Sequence, residues 1–203
     1  MSPPGTFDGV YAAIKDQLRR GVFRPGERLE PAALGDQLNA SVTPVRDALH
    51  RLAGERLVET PRHDGFRVPL VTETMLRHLY SWHLDLLLLA IMNRRGITTA
   101  EQAIVNEAEP GSSVHERQNS VFLALARATG NPEHLAALEA LTQRLDPVQR
   151  LEETFLDETE AETAAIVQAV QAYDRKALRR ALVRYHRRRE KIIPELLARM
   201  LQG

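Results

Sequence analysis

The feature that most constrains this chain is the pattern of residues 29–69, where two short helical patterns meet at a tight turn and two short apolar runs follow. In the first helical pattern, Leu34 and Leu38 lie four positions apart on one helix face. Asn39 suits the left-handed position that ends a helix, because asparagine tolerates that backbone better than most residues. We therefore expect a helix that ends in a turn at residues 39–41.

A second helix is predicted to start at Thr43 and Pro44, since threonine is a good N-cap and proline gives up an amide that has no partner at the first helical position. Its apolar residues recur at helical spacing: Val45, Ala48, Leu49 and Leu52. The opposite face carries polar and charged residues: Thr43, Arg46, Asp47, His50 and Arg51. A helix pair of this kind buries one side of its second helix and offers the other side to a DNA groove.

Two short apolar runs follow the helix pair, at residues 57–60 and 66–69, with turn-forming residues between them. A hairpin at this place would complete a winged helix. Four residues of the loop and its flank are candidates to lie along a phosphate backbone or in a minor groove: Arg62, His63, Gly65 and Arg67. Periodicity alone equally fits any small helical core with a surface hairpin.

Residues 7–69 resemble the DNA-binding domain of the GntR family of bacterial transcription regulators. The resemblance rests on a leading helix and four further phrases: residues 7–20, 21–29, 34–38, 43–49 and 65–68. It implies a homodimer that reads a double-stranded, palindromic operator through two winged helices. Arg46 would then be the main DNA contact, and Thr43 and Gly65 would touch the backbone.

Two basic positions of the family pattern are missing. The family often has an arginine where Val42 stands, and some members have a basic residue where Ala32 stands. His50 or Arg51 would have to compensate, or Val42 would contact a thymine methyl. With 27 basic and 27 acidic residues and a formal net charge of zero, we expect modest affinity per monomer and binding that depends on a dimer. The rival hypothesis is a metabolite-binding or scaffold protein of the same fold with weakened DNA reading.

The chain beyond residue 72 is predicted to be all-helical, which gives a DNA-binding domain over 1–70 and a second domain over 71–203. The helix candidates are residues 73–94, 99–107, 112–129, 132–145, 147–172 and 174–201. The predicted fold class is mainly α: an N-terminal winged helix-turn-helix followed by an all-α antiparallel helical bundle. Because the chain has no cysteine, no visible signal peptide and no apolar run long enough for a bilayer, we expect a cytoplasmic protein without a membrane partner.

The second domain resembles the FadR-type branch of the family, whose C-terminal domain is called FCD. The resemblance rests on residues 122–132 and 166–174 and on two later residues, Ala177 and His186. It implies a domain that dimerises and binds a small-molecule effector, often an organic acid. Many FCD domains hold a divalent metal with one aspartate and three histidines, but those positions here carry Gln118, Phe122, Thr163 and His186. We therefore predict a degenerate metal site, with no metal and no cofactor.

A cavity without a metal can still bind an effector. The candidate lining residues are His83, Gln118, Phe122, Arg127, Thr163 and His186, with His83 able in principle to meet His186 across the cavity. A few polar groups in an apolar wall are the usual composition of a small-molecule site, and the aromatic residues favour an apolar or aromatic effector. The alternative is that Phe122 simply fills the space that a metal would occupy.

Charge is unevenly distributed near the C-terminus. The terminal helix is rich in arginine and lysine, whereas residues 152–162 are rich in acids. These stretches indicate either a second basic surface for DNA or two helices whose opposite charges pair, and we prefer the pairing. Catalysis has no support, because the chain has no phosphate-binding glycine loop and no nucleophile motif, and carboxylates such as Glu152 and Glu153 are expected in charged surface. The chain is thus predicted to be a ligand-responsive repressor and not an enzyme.

Overall fold

The computed structural model describes residues 6–62, 65–93 and 112–202. Its contacts divide the chain into two compact units, Met1–Thr72 with Leu197–Gly203, and Glu73–Leu196. The elements in chain order are α1 Phe7–Arg19, β1 Arg28–Leu29, α2 Pro31–Leu38, α3 Val42–Gly54, β2 Phe66–Arg67, α4 Glu73–Asn93, α5 Val114–Arg127, α6 Pro132–Glu152, α7 Thr159–Gln171, α8 Arg175–Lys191 and α9 Ile193–Gln202. The mainly α fold class, a winged helix-turn-helix followed by a helical domain, is confirmed. The helix candidate at 99–107 and residue His63 lie outside the described residues.

The first unit is held together by the apolar faces of α1 and α3, which pack against each other. The side chains at its centre are almost fully buried: Val10, Ile14, Leu29, Leu34, Val45, Leu49 and Leu52. Each such side chain contributes about 1.5–3 kcal/mol by leaving water. Thr6 caps α1 by accepting a hydrogen bond from the Gly9 amide at 3.4 Å. Because α3 packs its apolar face against α1, its opposite face remains exposed to solvent.

The turn between α2 and α3 has the predicted left-handed residue, with Asn39 at φ 52° and ψ 46°. The start of α3 differs from the prediction, because Ser41 is the N-cap and Thr43 and Pro44 are the second and third helical residues. Proline is tolerated there because the first amides of a helix have no intrahelical acceptor. Gly35 permits the close turn, since a Cβ at that position would lie 2.7 Å from the Ala40 carbonyl oxygen.

The wing has a different strand pairing from the predicted hairpin. The partner of β2 is β1, with Arg28 opposite Arg67 and Leu29 opposite Phe66. The predicted strand at residues 57–60 contributes an isolated bridge from Glu59 to Arg67. Leu57 and Val58 belong to the helical core, so this segment turns inward after α3 and does not run along β2 for its full length.

The second unit is a helical bundle in which α4 packs against α5, α6 and α8, while α7 packs against α5 and α8. Two predicted boundaries were wrong. Helix α6 runs on through Asp146 and Pro147, where a break was expected, because Leu145 and Val148 on either side are both buried in the core. The breaks lie instead at residues 153–158 and at Ile192. Within the ranges that the structure covers, no helix has the length and apolar character to span a membrane.

Candidate DNA-reading surface and buried polar core

One face of α3 is exposed along its length. Val45, Ala48, Leu49 and Leu52 are fully buried, so the opposite face is fixed toward solvent. That face carries Val42, Thr43, Arg46, Asp47 and His50. Val42 is 41% exposed and stands one helical turn before Arg46. Among the described residues Arg46 makes no ion pair, so its guanidinium is available to a partner from outside the chain.

The C-terminal end of α3 is fixed to α1 by a small polar network. The Tyr11 hydroxyl donates to Glu55 at 2.6 Å, and the Lys15 ammonium donates to Glu55 at 2.7 Å and to the Tyr11 hydroxyl at 2.8 Å. Burial raises the pKa of Glu55, but the hydrogen bonds from Lys15 and Tyr11 lower it by more. The pKa of Glu55 is therefore below its ordinary value. This network orients α3 as a rigid body on α1.

Two predicted DNA contacts of α3 are engaged within the protein. The guanidinium of Arg51 lies 4.2 Å from the centre of the Tyr11 ring, and its Nε lies 3.5 Å from Glu55 Oε1. Arg51 therefore belongs to the α1–α3 contact, which argues against the role proposed for it in DNA reading. The His50 ring meets the Phe66 ring edge-on at 4.9 Å, so it joins α3 to the wing while remaining exposed.

The wing presents its predicted residues in different ways. Arg62 and Gly65 are exposed, and Gly65 has a φ of 70°, a left-handed conformation that favours glycine. Arg67 is half-buried on β2, and its amide donates to the Glu59 carbonyl of the isolated bridge at 2.9 Å. On β1, Arg28 makes an ion pair with Glu30 at 2.6 Å. Arg62 and Gly65 thus fit a backbone contact better than Arg67 does.

In the second unit, His83 and His186 meet at the centre of the bundle. His83 Nδ1 lies 2.9 Å from His186 Nε2, and His186 Nδ1 lies 2.7 Å from the Leu182 carbonyl oxygen. Because a carbonyl only accepts, His186 Nδ1 carries the proton, and His83 Nδ1–H donates to His186 Nε2. Burial lowers the pKa of His83 well below its ordinary value and lowers the pKa of His186 to about 4. Both rings are therefore neutral at neutral pH.

The other predicted effector residues divide into two groups. Phe122 packs against His83 with ring centres 5.2 Å apart, and Gln118 donates to the Thr163 hydroxyl at 2.7 Å inside the bundle. Arg127 does not join them, because it is partly exposed and faces Glu139 at 3.7 Å. The structure thus brings His83, Phe122 and His186 together and pairs Gln118 with Thr163.

The residues at the four positions where the resemblance to FCD domains predicts metal ligands do not fit a metal. They offer an amide, a phenyl ring, a hydroxyl and one imidazole, whereas a divalent transition metal requires three or four nitrogen, sulfur or carboxylate donors. In the part of the chain with described coordinates, no group of three or more His, Asp or Glu residues is placed to hold a metal ion.

Sequence reasoning missed a buried ionic network beside these histidines. Arg189 is 1% exposed and donates to Glu152 Oε2 and Glu162 Oε2, each at 2.7 Å. The Tyr80 hydroxyl donates to the other oxygen of Glu152, and the Arg189 guanidinium lies over the Tyr185 ring. Burial raises the pKa of Glu152, although Arg189 and Tyr80 oppose the rise.

The prediction that Glu152 lies in charged surface was therefore wrong. The signal was present in the spacing, because Glu152 follows Leu145 and Val148 on the apolar stripe of α6. Arg189 likewise continues the stripe of Leu178, Leu182 and Tyr185 on α8. The preferred pairing of the two charged stretches is confirmed for Glu152 and Glu162 with Arg188 and Arg189.

Comparison with known proteins bears on the first unit. Residues 6–68 match the model of the family described as bacterial regulatory proteins, gntR family. The likeness to this family therefore covers residues 6–68, which are less than half of the chain.

Curated relatives match only part of the chain. The HTH-type transcriptional repressor GlaR of Escherichia coli (strain K12) is 35% identical over 75 residues, which are 37% of this chain and 34% of that protein. The Nta operon transcriptional regulator of Aminobacter aminovorans is 41% identical over 58 residues, 29% of this chain and 28% of that protein. The match thus spans about a third of the length of these relatives.

Solved structures extend the likeness of fold beyond residues 6–68. The structure titled E. coli McbR/YncC has a TM-score of 0.69 at 23% identity and covers 96% of this chain and 99% of its own. A putative transcriptional regulator GntR from Rhodococcus sp. RHA1 has a TM-score of 0.77 at 19% identity, with 93% and 97% covered. At these identities the comparison shows the fold alone.

Proposed function

We propose that this chain is a transcription regulator that binds duplex DNA as a homodimer on a palindromic operator, and that it acts in the cytoplasm as a ligand-responsive repressor of the FadR-type branch. The observation that carries the proposal is the exposed face of α3, where Arg46 makes no ion pair to any described residue within a segment that matches the GntR family. Thr43, Arg62 and Gly65 are the backbone contacts that accompany it. Repression needs no additional domain, because a dimer bound to an operator blocks RNA polymerase.

The second unit offers a surface on which a second copy can pack. Trp82, Leu89 and Met92 are 49%, 42% and 71% exposed on α4. Their spacings of seven and three residues place them on one side of the helix, as in a seam between two helices. A chain of zero net charge gains DNA affinity when a dimer joins two DNA-binding domains. The apolar seam on α4 and the exposed face of α3 therefore both support the proposed dimer on DNA.

The buried histidine pair supports an effector of a particular class. His83 Nε2 and the Tyr185 hydroxyl are buried and have no hydrogen-bond partner among the described residues. With its proton on Nδ1, His83 presents a lone pair at Nε2, which accepts from an O–H or N–H donor. Since both histidines are neutral and the rings of Phe122 and Tyr185 pack beside them, we propose a neutral aromatic effector with one donor group. An effector held as a metal-bound acid has no support here.

The test of DNA reading is selection of bound duplexes from a random-sequence library, repeated with Arg46→Ala. Arg20→Ala is the matched control, because it removes one exposed arginine from the same unit. We expect the wild type and the control to select a palindrome whose half-sites are about 10 base pairs, or a multiple, apart. Bound duplexes with no shared sequence would contradict the proposal and favour the rival metabolite-binding or scaffold protein.

A further inference from the structure

Helix α8 carries a stripe of cations on its solvent face. The stripe, named here the α8 basic stripe, consists of Lys176, Arg180, Arg184, Arg187 and Lys191. Its spacings of four, four, three and four residues keep all five side chains within roughly 80° of the helix circumference. All five residues are exposed, whereas Arg188 and Arg189 of the same helix turn toward Glu162 and Glu152.

The cations of the α8 basic stripe are not neutralised by the described part of the chain. None of the five makes an ion pair with a described residue. Glu158 and Glu162 at the start of α7 lie beside Arg180 and Arg184, and Glu162 is engaged by Arg188 and Arg189. Arg180, Arg184, Arg187 and Lys191 also line an open groove of about 700 Å³. The stripe therefore presents net positive charge to the solvent.

The composition of the stripe favours a phosphate polymer over a protein partner. Protein interfaces are built around buried apolar anchors, but no large apolar residue is exposed on α8. Arginine suits phosphate because its planar fork makes paired hydrogen bonds. The stripe spans about 22 Å at 1.5 Å per residue, and a DNA strand presents a charge about every 3.4 Å along that length.

We propose that the α8 basic stripe binds the phosphate backbone of duplex DNA, as a contact additional to the α3 face. The inference rests on the proposed function, which brings duplex DNA to this protein. In this proposal the stripe contributes binding free energy that does not depend on the DNA sequence, and α3 supplies the sequence preference. The stripe thereby offsets the basic residues that are missing at Ala32 and Val42.

The test is the salt dependence of binding to a random-sequence duplex of about 30 base pairs, followed by fluorescence anisotropy. The full-length wild type is compared with R180Q/R184Q and with the control R127Q/R199Q, which removes two arginines outside the stripe. We expect the slope of log K against log salt to fall in magnitude by about 1.8 in the stripe variant only. Its affinity at 0.1 M salt should fall roughly 10- to 100-fold.

The first two outcomes below distinguish the stripe proposal from operator reading, whereas loss of all duplex binding contradicts both. A slope and affinity equal to those of the control would overturn the stripe contact and leave α3 reading intact. Duplex binding that depends on Arg180 and Arg184 but is indifferent to Arg46→Ala and to sequence would support the stripe and contradict the proposed operator reading. Failure to bind any duplex, or tighter binding of a polyglutamate peptide than of duplex at equal salt, would overturn the stripe as a DNA contact.

Discussion

At the scale of single residues, Arg189 is the most consequential side chain of the second unit. It lies between two carboxylates, Glu152 and Glu162, that are both buried. Removing one member of a buried ionic group leaves the remaining charges unpaired, which typically costs 3–5 kcal/mol.

We therefore expect Arg189→Met to lower the free energy of unfolding by about 3–5 kcal/mol in urea titration. Arg187→Met is the matched control, because Arg187 is exposed on the same helix and should change stability by less than about 0.5 kcal/mol. A loss at Arg189 no larger than that at Arg187 would show that the network does not stabilise the bundle.

Glu55 gives the first unit a predictable response to acid. Its pKa in the folded protein lies below the ordinary value of 4.5, because hydrogen bonds from Lys15 and Tyr11 outweigh burial. The unfolded state binds the proton more readily, so the network stabilises the fold fully above that ordinary value and loses this contribution as pH falls through the folded pKa. Glu55→Gln should lower the unfolding free energy at pH 7 and flatten its decline below about pH 4.5. An unchanged pH profile of thermal unfolding would refute the assignment.

At the scale of elements, α4 carries two roles on its two faces. Its inner face brings Tyr80 and His83 to the polar core, and its outer face exposes Trp82, Leu89 and Met92. A large apolar stripe on a solvent-facing helix is typical of an interaction surface.

The outer face leads to a prediction about assembly. Trp82→Glu should convert the proposed dimer to a monomer in analytical ultracentrifugation, because a charge placed in the apolar seam would lose its water on association. Ala140→Glu, which adds the same charge at an exposed position of α6, is the control and should leave the mass unchanged. A dimer that survives Trp82→Glu would place the interface elsewhere.

An element could be predicted from the sequence where neighbouring residues determine it, and not where residues far apart in the chain determine it. The apolar stripe of α3 and the left-handed Asn39 are properties of a few neighbouring residues, and both were found. The pairing of β1 with β2 joins residues far apart in the chain, as in Arg28 opposite Arg67, and no local pattern shows it. The passage of α6 through Pro147 likewise depends on packing of its flanking residues, which outweighs the intrinsic preference of proline.

At the scale of the whole molecule, some features of the candidate sites could be predicted from the sequence and others could not. The sequence indicated that His83 could in principle meet His186, whereas the exclusion of Arg127 and the burial of Glu152 depended on how the helices pack. Burial is a property of the assembled bundle, so a run of charges near residues 152–162 could not by itself distinguish surface from core.

The effector proposal predicts a selective thermal shift. Neutral phenols should raise the melting temperature by roughly 5–10 °C at 100 times their Kd, because they donate to His83 Nε2 within aromatic walls. Short-chain carboxylates should have no such effect, and added chelator should not change the result. The variant His83→Phe removes the acceptor and should abolish the shift while preserving bulk. Stabilisation by carboxylates alone, or by phenols equally in His83→Phe, would contradict the proposed class.

The central claim is that the exposed face of α3 reads DNA sequence through Arg46. The most direct measurement is the affinity of the full chain for its selected duplex relative to a random duplex at one fixed salt concentration, in wild type and Arg46→Ala. The account predicts a preference of at least about a thousandfold, and a loss of about 1–3 kcal/mol for the selected duplex in the variant. Equal affinity for both duplexes, unchanged by Arg46→Ala, would contradict it.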